Sequence, residues 1–456
     1  MFLFVFAAFV GYFVWFQVEE SGQVINNTYN GRIETLEEST IRGQILASDG
    51  TILAETVVDE DGNETRYYPY GEMLAHTTGY IGRGKTGVES LANYYLLNSH
   101  QSIWTQFAND LTEEKNIGDN VRTTIDLDLQ QAAWDAMDGR RGAAVVLEAS
   151  TGKILAMVSN PGFDPNRINE QWEELTAETN NDANLLNRAT QGLYPPGSTF
   201  KLVTLLEFIR EYPDTWQDFT YDCQGVNEGE GYTIRCYDST AHGHLTLEEA
   251  LVASCNGAFA AIGQMLDPEE FTKTCESLLF NQRLPLGLAS SSSSFSLTEE
   301  STAWTVARTA IGQGETQITP ILSAMITAAI ANDGVMMQPY ILDSVWAGDT
   351  RVESFDSEVL GTVMSAQEVS VLKEMMRAVI TDGTANSLKT DLYDAYGKTG
   401  TAEYITGSDT THAWFTGFAG EGDEAIAVSV ILEGAGTGSS QAAPVAAAIF
   451  EAYFSR

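Results

Sequence analysis

The sequence predicts an α+β protein: a five-stranded antiparallel sheet assembled from both ends of one domain, with a helical middle. A small β-rich pedestal and an apolar N-terminal transmembrane helix precede that domain. Three observations predict this. Two apolar strand-like runs meet at a Ser-Thr-Gly turn in GAAVVLEASTGKILAMVS, residues 142–159. Three more, AYGKTGTAEYI, HAWFTGFAGE and AIAVSVILEG, follow one another near the C-terminus with Gly-rich turns between them, and a helix, APVAAAIFEAYF, closes the chain. Between these groups, roughly 160–340, helical patterns dominate, and Leu202–Phe208 is apolar nearly all round, as a central buried helix should be.

At 456 residues the chain is long enough for two or three domains with a sizeable core. Hydrophobic residues make up 43% and charged residues 19%, an ordinary balance for a folded protein. The signs are not balanced. Twenty-four basic against sixty-three acidic residues give a net charge of −39, which excludes nucleic acid as a partner and predicts a solvated, self-repelling surface.

The elements follow in order. MFLFVFAAFVGYFVWF, Met1–Phe16, carries no charged side chain, and Gln17, Glu19 and Glu20 end the run. At about 1.5 Å per residue it reaches ~25 Å, the short end for a membrane span. There is no basic n-region and no small-residue cleavage site, so residues 1–18 read as an anchor rather than a cleaved signal. The first basic residue is Arg32, so counting positive charges does not set the orientation. Residues 19–140 form the pedestal. Within it RGQILASDGTILAE, Arg42–Glu55, alternates around Asp49-Gly50 as a hairpin does. Val121–Ile125 reads as a strand, and Asp126 caps a helix through LDLQQAAWDAM. The boundary is expected near residue 140, with the second domain running over 141–456. Ser290–Ser294 reads as a surface loop. Cys223 and Cys236 flank CQGVNEGEGYTIRC and suit a local disulfide if the domain is exported, although sequence alone leaves the pairing open. Cys255 and Cys275 read as free core residues. No C-x-x-C or H-E-x-x-H pair suggests a metal, and no cofactor is implied.

The chemistry rests on three short motifs. S-x-x-K occurs at Ser150/Lys153, Ser198/Lys201 and Ser370/Lys373; K-T-G occurs at Lys85 and Lys398. Ser198 follows Tyr194-Pro195-Pro196-Gly197 and opens an apolar helix, where unpaired N–H groups and the positive dipole end lie. One turn on, Lys201 shares its face and can reach the hydroxyl. Serine is a poor nucleophile until a base takes its proton, and a buried amine has its pKa lowered enough to serve. Ser150 sits at a hairpin tip, and Ser370 lies on an amphipathic helix, AQEVSVLKEMMRAVI, so both fail on geometry. Ser254-Cys255-Asn256 is the only S-x-N, and its hydroxyl and carboxamide suit proton relay and amide binding. Lys398-Thr399-Gly400-Thr401 sits on an edge-type strand, where a cation and hydroxyls suit a carboxylate and Gly400 lets backbone approach closely. Lys85 precedes the nucleophile and is out of order.

The ordered set at 198, 254 and 398 resembles the penicillin-binding protein and serine β-lactamase superfamily, and more closely the monofunctional class B penicillin-binding proteins. The likeness extends over RGQILASDGTILA, TTGYIGRGKTGVES, TTIDLDLQ, ASTGKILAMVSNPGFDPN, NRATQGLYPPGSTFK, AIGQGETQITP and HAWFTGFAG. It implies a β-lactamase/transpeptidase-like fold for the second domain and D,D-transpeptidation of peptidoglycan. Ser198 would form the acyl-enzyme with Lys201 as base. Ser254 and Asn256 would relay the proton and orient the substrate amide. Lys398, Thr399 and Thr401 would hold the terminal carboxylate beside Gly400, and the N–H groups of Ser198 and Thr401 would form the oxyanion hole. The resemblance also implies stem peptides and β-lactams as ligands, a bacterial membrane location with an extracytoplasmic catalytic domain, and a glycosyltransferase partner of the cell-wall machinery. The pedestal is too short to hold that activity itself. A D,D-carboxypeptidase differs only in using water as acceptor. A β-lactamase would need an extra deacylating base, which the sequence does not supply. A β-lactam-sensing receptor ectodomain is the remaining reading.

Overall fold

The computed structural model describes residues 2–15, 36–112, 114–403 and 410–456. Phe2–Trp15 form a 14-residue helix of uninterrupted apolar character. Among the described residues no helix is long and apolar enough to cross a membrane. The expected anchor runs on to residue 18; Met1 and residues 16–18 lie outside the described residues, as do Glu19, Glu20 and Arg32.

Contacts divide the chain into two compact units, one of residues 1–123, 164–172 and 342–356, the other of 124–163, 173–341 and 357–456. The smaller unit holds a six-stranded sheet in the order Thr350–Ser354, Leu342–Ala347, Asn120–Thr123, Ile45–Leu46, Ile52–Val58, Glu64–Tyr67. The hairpin read from Asp49-Gly50 is there: Ile45 pairs with Ala54 and Leu46 with Ile52. Its turn is closed by the Asp49 carboxylate, which accepts from the Thr51 N–H at 2.8 Å. Beside the sheet, a fully buried Glu89 carboxylate accepts from Arg42 Nε at 2.6 Å and Arg66 Nε at 2.7 Å. Arg42 Nη1 goes on to Asn93 Oδ1 at 2.7 Å. Burial alone would raise the Glu89 pKa, but the two guanidinium groups outweigh it and hold it below the ordinary value.

In the larger unit, α1 (Leu127–Met137) starts at Asp126, whose side chain accepts from the Leu129 N–H at 2.9 Å. Strands β1 (Gly142–Glu148), β2 (Ile154–Asn160), β3 (Ala395–Glu403), β4 (Thr411–Ala419) and β5 (Ile426–Leu432) form one sheet in the order β3-β4-β5-β1-β2, antiparallel at every step. This is the sheet expected from both ends of the domain. Every residue of β2 and β5 is buried, so both faces are covered. Helix α2 (Lys201–Glu211) is buried from Lys201 to Ile209. Further helices are α3 (Asn256–Gly263), α4 (Pro320–Ala331), α5 (Ala366–Thr381) and α6 (Ala443–Phe454). Helix α4 packs on β1, β4 and β5, α5 packs on β3, and α1 packs on α6 and β2.

By contacts the larger unit takes in α1, which buries Leu129, Ala133 and Met137 there, and residues 164–172 and 342–356 belong to the smaller one. Two expectations are refined. The helical middle contains four short strands, Thr220–Cys223 paired with Gly243–Thr246 and Val226–Gly229 paired with Tyr232–Arg235. Each is four residues long and largely polar, too short for a period-2 pattern to stand out. The serine run is a loop, as expected, but Ser293 within it is 1% exposed and its Oγ accepts from the Thr319 N–H at 3.0 Å, the cap end of α4.

Replacing Glu89 by Gln leaves two guanidinium groups around a neutral amide. The smaller unit should lose about 3–5 kcal/mol, seen as faster hydrogen–deuterium exchange over residues 42–97 of the full chain. The wild-type contribution is present above the ordinary carboxylate range and is lost as pH falls through the depressed folded pKa. E89Q should therefore show a flatter exchange–pH profile on the acid side; an unchanged profile would mean that the triad contributes nothing.

Candidate active site

Tyr194-Pro195-Pro196-Gly197 lead into a 3-10 turn, Gly197–Phe200, that continues directly as α2. Phe200 seats the turn in an apolar socket, its ring 5.9, 5.9 and 5.7 Å from those of Phe271, Phe280 and Phe295. Gly197 has φ +55°, and a Cβ there would lie 2.7 Å from the Thr401 carbonyl oxygen. Its N–H donates to the Gly312 carbonyl at 2.8 Å. A Cβ on Gly400 would lie 3.0 Å from Pro196 O, Thr199 Cγ2 and Trp414 Cβ. Two glycines thus let β3, the edge strand of the sheet, lie against the turn that carries Ser198. Trp414 of β4 ties the same turn down through Nε1, which donates to Pro195 O at 3.0 Å.

Lys201 is fully buried, and its Nζ donates to Ser254 O at 2.7 Å and Asn256 Oδ1 at 2.7 Å, with Ser254 Oγ at 3.3 Å. Lys398, also fully buried, donates to the same Ser254 Oγ at 2.9 Å and to Thr399 O at 3.0 Å. One hydroxyl therefore stands between two amines. Ser254 adopts φ +53°, a conformation that serine seldom takes and that marks a position over-determined by its surroundings. Its N–H donates to Leu251 O at 3.1 Å, and the Cys255 N–H donates to Ala250 O at 2.8 Å. Asn256 is oriented from behind by Nδ2, which donates to Arg235 O at 2.9 Å and leaves Oδ1 for Lys201. Burial pushes Lys201 down to about 7, partly offset by Cys255 and Cys236. Burial, then the Lys201 charge, push Lys398 well below the ordinary lysine value. An amine whose pKa is brought down to about 7 can take a proton near neutral pH and is a competent base.

The structure brings together Ser198, Lys201, Ser254, Asn256, Lys398 and the Gly400-Thr401 strand. Two expectations take a different form. Among the described residues the half-buried Ser198 hydroxyl makes no hydrogen bond, because Lys201 turns its donors to Ser254 and Asn256; unliganded sites commonly show such slack, which tightens with substrate. The Thr399 hydroxyl lies 2.6 Å from that of Thr384. Thr401 Oγ1 accepts from the Gly438 N–H at 3.4 Å. The other motif copies stay apart: Lys153 lies 3.7 Å from Glu148, Lys373 bonds Asp333 at 2.9 Å, and Lys85 bonds Glu37 at 2.7 Å in the smaller unit.

Sequence reading missed the anchor of the turn. Glu433 accepts from the Tyr194 hydroxyl at 2.7 Å and from Arg188 Nε at 2.8 Å, and Arg188 is 1% exposed. Glu433 carries no local motif, so nothing in the sequence could have found it. Cys255 and Cys275 are free and buried, as expected; Cys223 and Cys236, which suited a local disulfide, are free as well and lie Sγ to Sγ at 3.7 Å. Cys255 joins them, 3.7 Å from Cys236, and His242 Nδ1 lies 3.3 Å from Cys223 Sγ.

A buried Ser-x-x-Lys turn under the edge strand of a five-stranded antiparallel sheet defines a serine acyl-transferring enzyme. The chain belongs to the penicillin-binding protein transpeptidase family: residues 142–451 match the penicillin binding protein transpeptidase domain, and residues 42–121 match the penicillin binding protein A dimerisation domain. It is 32% identical over 454 residues to peptidoglycan D,D-transpeptidase PbpA of Mycolicibacterium smegmatis, covering 93% of this chain and 91% of that one. It is 28% identical to peptidoglycan D,D-transpeptidase MrdA of Acinetobacter baumannii, covering 85% of this chain and 66% of that protein. Among solved structures, penicillin-binding protein A from M. tuberculosis as a ceftriaxone acyl-enzyme superposes with a TM-score of 0.83 at 30% identity, covering 91% of this chain and 99% of that one.

Removing the shared hydroxyl tests the arrangement. Ser254→Ala should lower the rate of acylation by a fluorescent penicillin by about 10²–10⁴-fold, the usual weight of a proton-transfer group, with the melting temperature held. Lys373→Ala should change neither.

Proposed function

We propose that this protein is a peptidoglycan D,D-transpeptidase that cross-links stem peptides through a Ser198 acyl-enzyme. The observation that carries the reading is the fully buried Lys201 amine, pushed down to about 7 and linked through Ser254 to Lys398 at the turn that bears Ser198. Neutral Lys201 takes the Ser198 proton as Oγ attacks the penultimate D-Ala carbonyl of a donor stem. The tetrahedral oxyanion is held by the Ser198 and Thr401 N–H groups, each donor contributing about 3–4 kcal/mol in comparable sites. The proton passes by way of Ser254 to the departing D-Ala amine as the C–N bond breaks. Asn256 orients the substrate amide. Lys398, with Thr399 and Thr401, offers positive charge and hydroxyls to the terminal carboxylate. In the second half, the amine of another stem attacks the ester, gives its proton to the same relay, and Ser198 is released. A β-lactam enters as a mimic of D-Ala-D-Ala, and its leaving amine stays tethered, so the acyl-enzyme persists.

The apolar segment of residues 1–18 anchors the chain in the cell membrane, with the larger unit on the extracytoplasmic side where its substrate lies. The smaller unit, matched to a dimerisation domain, serves as a non-catalytic pedestal, and a separate glycosyltransferase supplies the glycan strands. The membrane reading is supported by the uninterrupted apolar character of Phe2–Trp15. Deleting residues 1–18 should move the protein from the membrane fraction to the soluble fraction with acylation intact; retention on membranes would refute the anchor.

The catalytic test pairs labelled penicillin with a D-Ala-D-Ala donor and an amine acceptor. Label held for hours, D-Ala release and transfer to the amine are expected. Water as sole acceptor would make the enzyme a D,D-carboxypeptidase, and rapid loss of label would make it a lactamase. Ser198→Ala should take no label, whereas Ser150→Ala and Ser370→Ala should label as the wild type does. Full labelling of S198A would remove the assignment.

A further inference from the structure

Behind the Ser254–Asn256 loop lies a cluster that the acyl-transfer mechanism does not use. Cys223 ends the strand Thr220–Cys223, Cys236 follows Tyr232–Arg235, His242 precedes Gly243–Thr246, and Cys255 is the first cap of α3. Three thiols and one imidazole, drawn from four segments, put their ligand atoms within 4.8 Å of one another. The three cysteines are buried, at 1%, 4% and 0% exposure.

The spacing is informative. A tetrahedral zinc with Zn–S bonds of about 2.3 Å and a Zn–N bond of about 2.0–2.1 Å holds neighbouring sulfurs about 3.8 Å apart and a sulfur about 3.6 Å from the nitrogen. The observed Sγ–Sγ separations are 3.7 Å for Cys223–Cys236 and 3.7 Å for Cys236–Cys255, with Cys223 Sγ 3.3 Å from His242 Nδ1. A disulfide would draw one pair to about 2.05 Å and leave the third thiol and the imidazole without a role. Backbone N–H groups already point at the sulfurs: Gly225 N to Cys223 Sγ at 3.4 Å and Ala258 N to Cys255 Sγ at 3.4 Å, the outer support that metal-bound thiolates take.

We propose that Cys223, Cys236, His242 and Cys255 bind one zinc ion in a closed Cys3His site, and that this ion clamps the loop bearing Ser254 and Asn256. Binding releases three thiol protons to water and leaves four protein ligands with no open position, so the ion is structural and takes no part in acyl transfer. Cys255 is the middle residue of Ser254-Cys255-Asn256. Fixing its sulfur fixes the backbone on either side, including the left-handed turn at Ser254 that places its hydroxyl between Lys201 and Lys398.

The test is metal analysis of the full chain, purified without chelator, together with thiol titration after denaturation. One zinc per chain and four titratable thiols are expected. Cobalt exchange should give intense thiolate-to-metal charge-transfer bands. Cys236→Ala and His242→Ala should lose the metal; His242→Cys, which restores four ligands, should retain it, and Cys275→Ala should too. Stripping the zinc should slow fluorescent-penicillin acylation about 10–100-fold, the usual effect of loosened support around a site, and zinc alone should restore it. Two titratable thiols, or four thiols with no zinc bound at micromolar free metal, would overturn the site. Zinc bound with acylation unchanged on its removal would overturn the clamp. Metal content is read without reference to catalysis, so failure of the acyl-transfer reading leaves this test standing.

Discussion

Everything in the larger unit is arranged around an electrostatic refusal: two ammonium groups do not both stay charged in one dry pocket. Lys201 and Lys398 are buried completely and share the Ser254 hydroxyl; burial pushes both amines down, and the Lys201 charge lowers Lys398 further. A base that titrates near neutral pH is thereby made without a histidine or a carboxylate. The cost is borne by packing. Phe200, Phe271, Phe280 and Phe295 seal the turn from one side, and the glycine contacts at 197 and 400 bring the sheet edge down on it from the other.

The chemistry-bearing parts were legible because each is local. Ser198 and Lys201 are one helical turn apart, and Ser254-Cys255-Asn256 and Lys398-Thr399-Gly400-Thr401 are contiguous. The sheet was legible for a similar reason, since its five strands are long, apolar and separated by obvious turns. What sequence did not yield is what depends on distance along the chain. Glu433 holds Arg188 and Tyr194, and the cysteine–histidine cluster gathers from four segments with none of the familiar close pairs. The short strands around residues 220–246 hid because four polar residues carry no period.

The unusual backbone at Ser254 deserves the same physical reading as the buried lysines. A serine in the left-handed region persists only where neighbours over-determine it. Here the Leu251 and Ala250 carbonyls, the cap at Cys255 and two amines all act on three consecutive residues. Precision of this kind suits a relay atom that must meet a proton donor on one side and an acceptor on the other.

Because β1 pairs with β5, residue 148 meets residue 426, and the turn at Ser198 has no roof until the strand bearing Lys398 arrives. Pairing across such a span is slow and closes late. A chain still emerging from synthesis holds Ser198 and Lys201 but not Lys398 and the backbone of β3 that complete the site. An acyl-transfer centre therefore exists only in a chain long enough to include β3, and a shorter one is chemically silent.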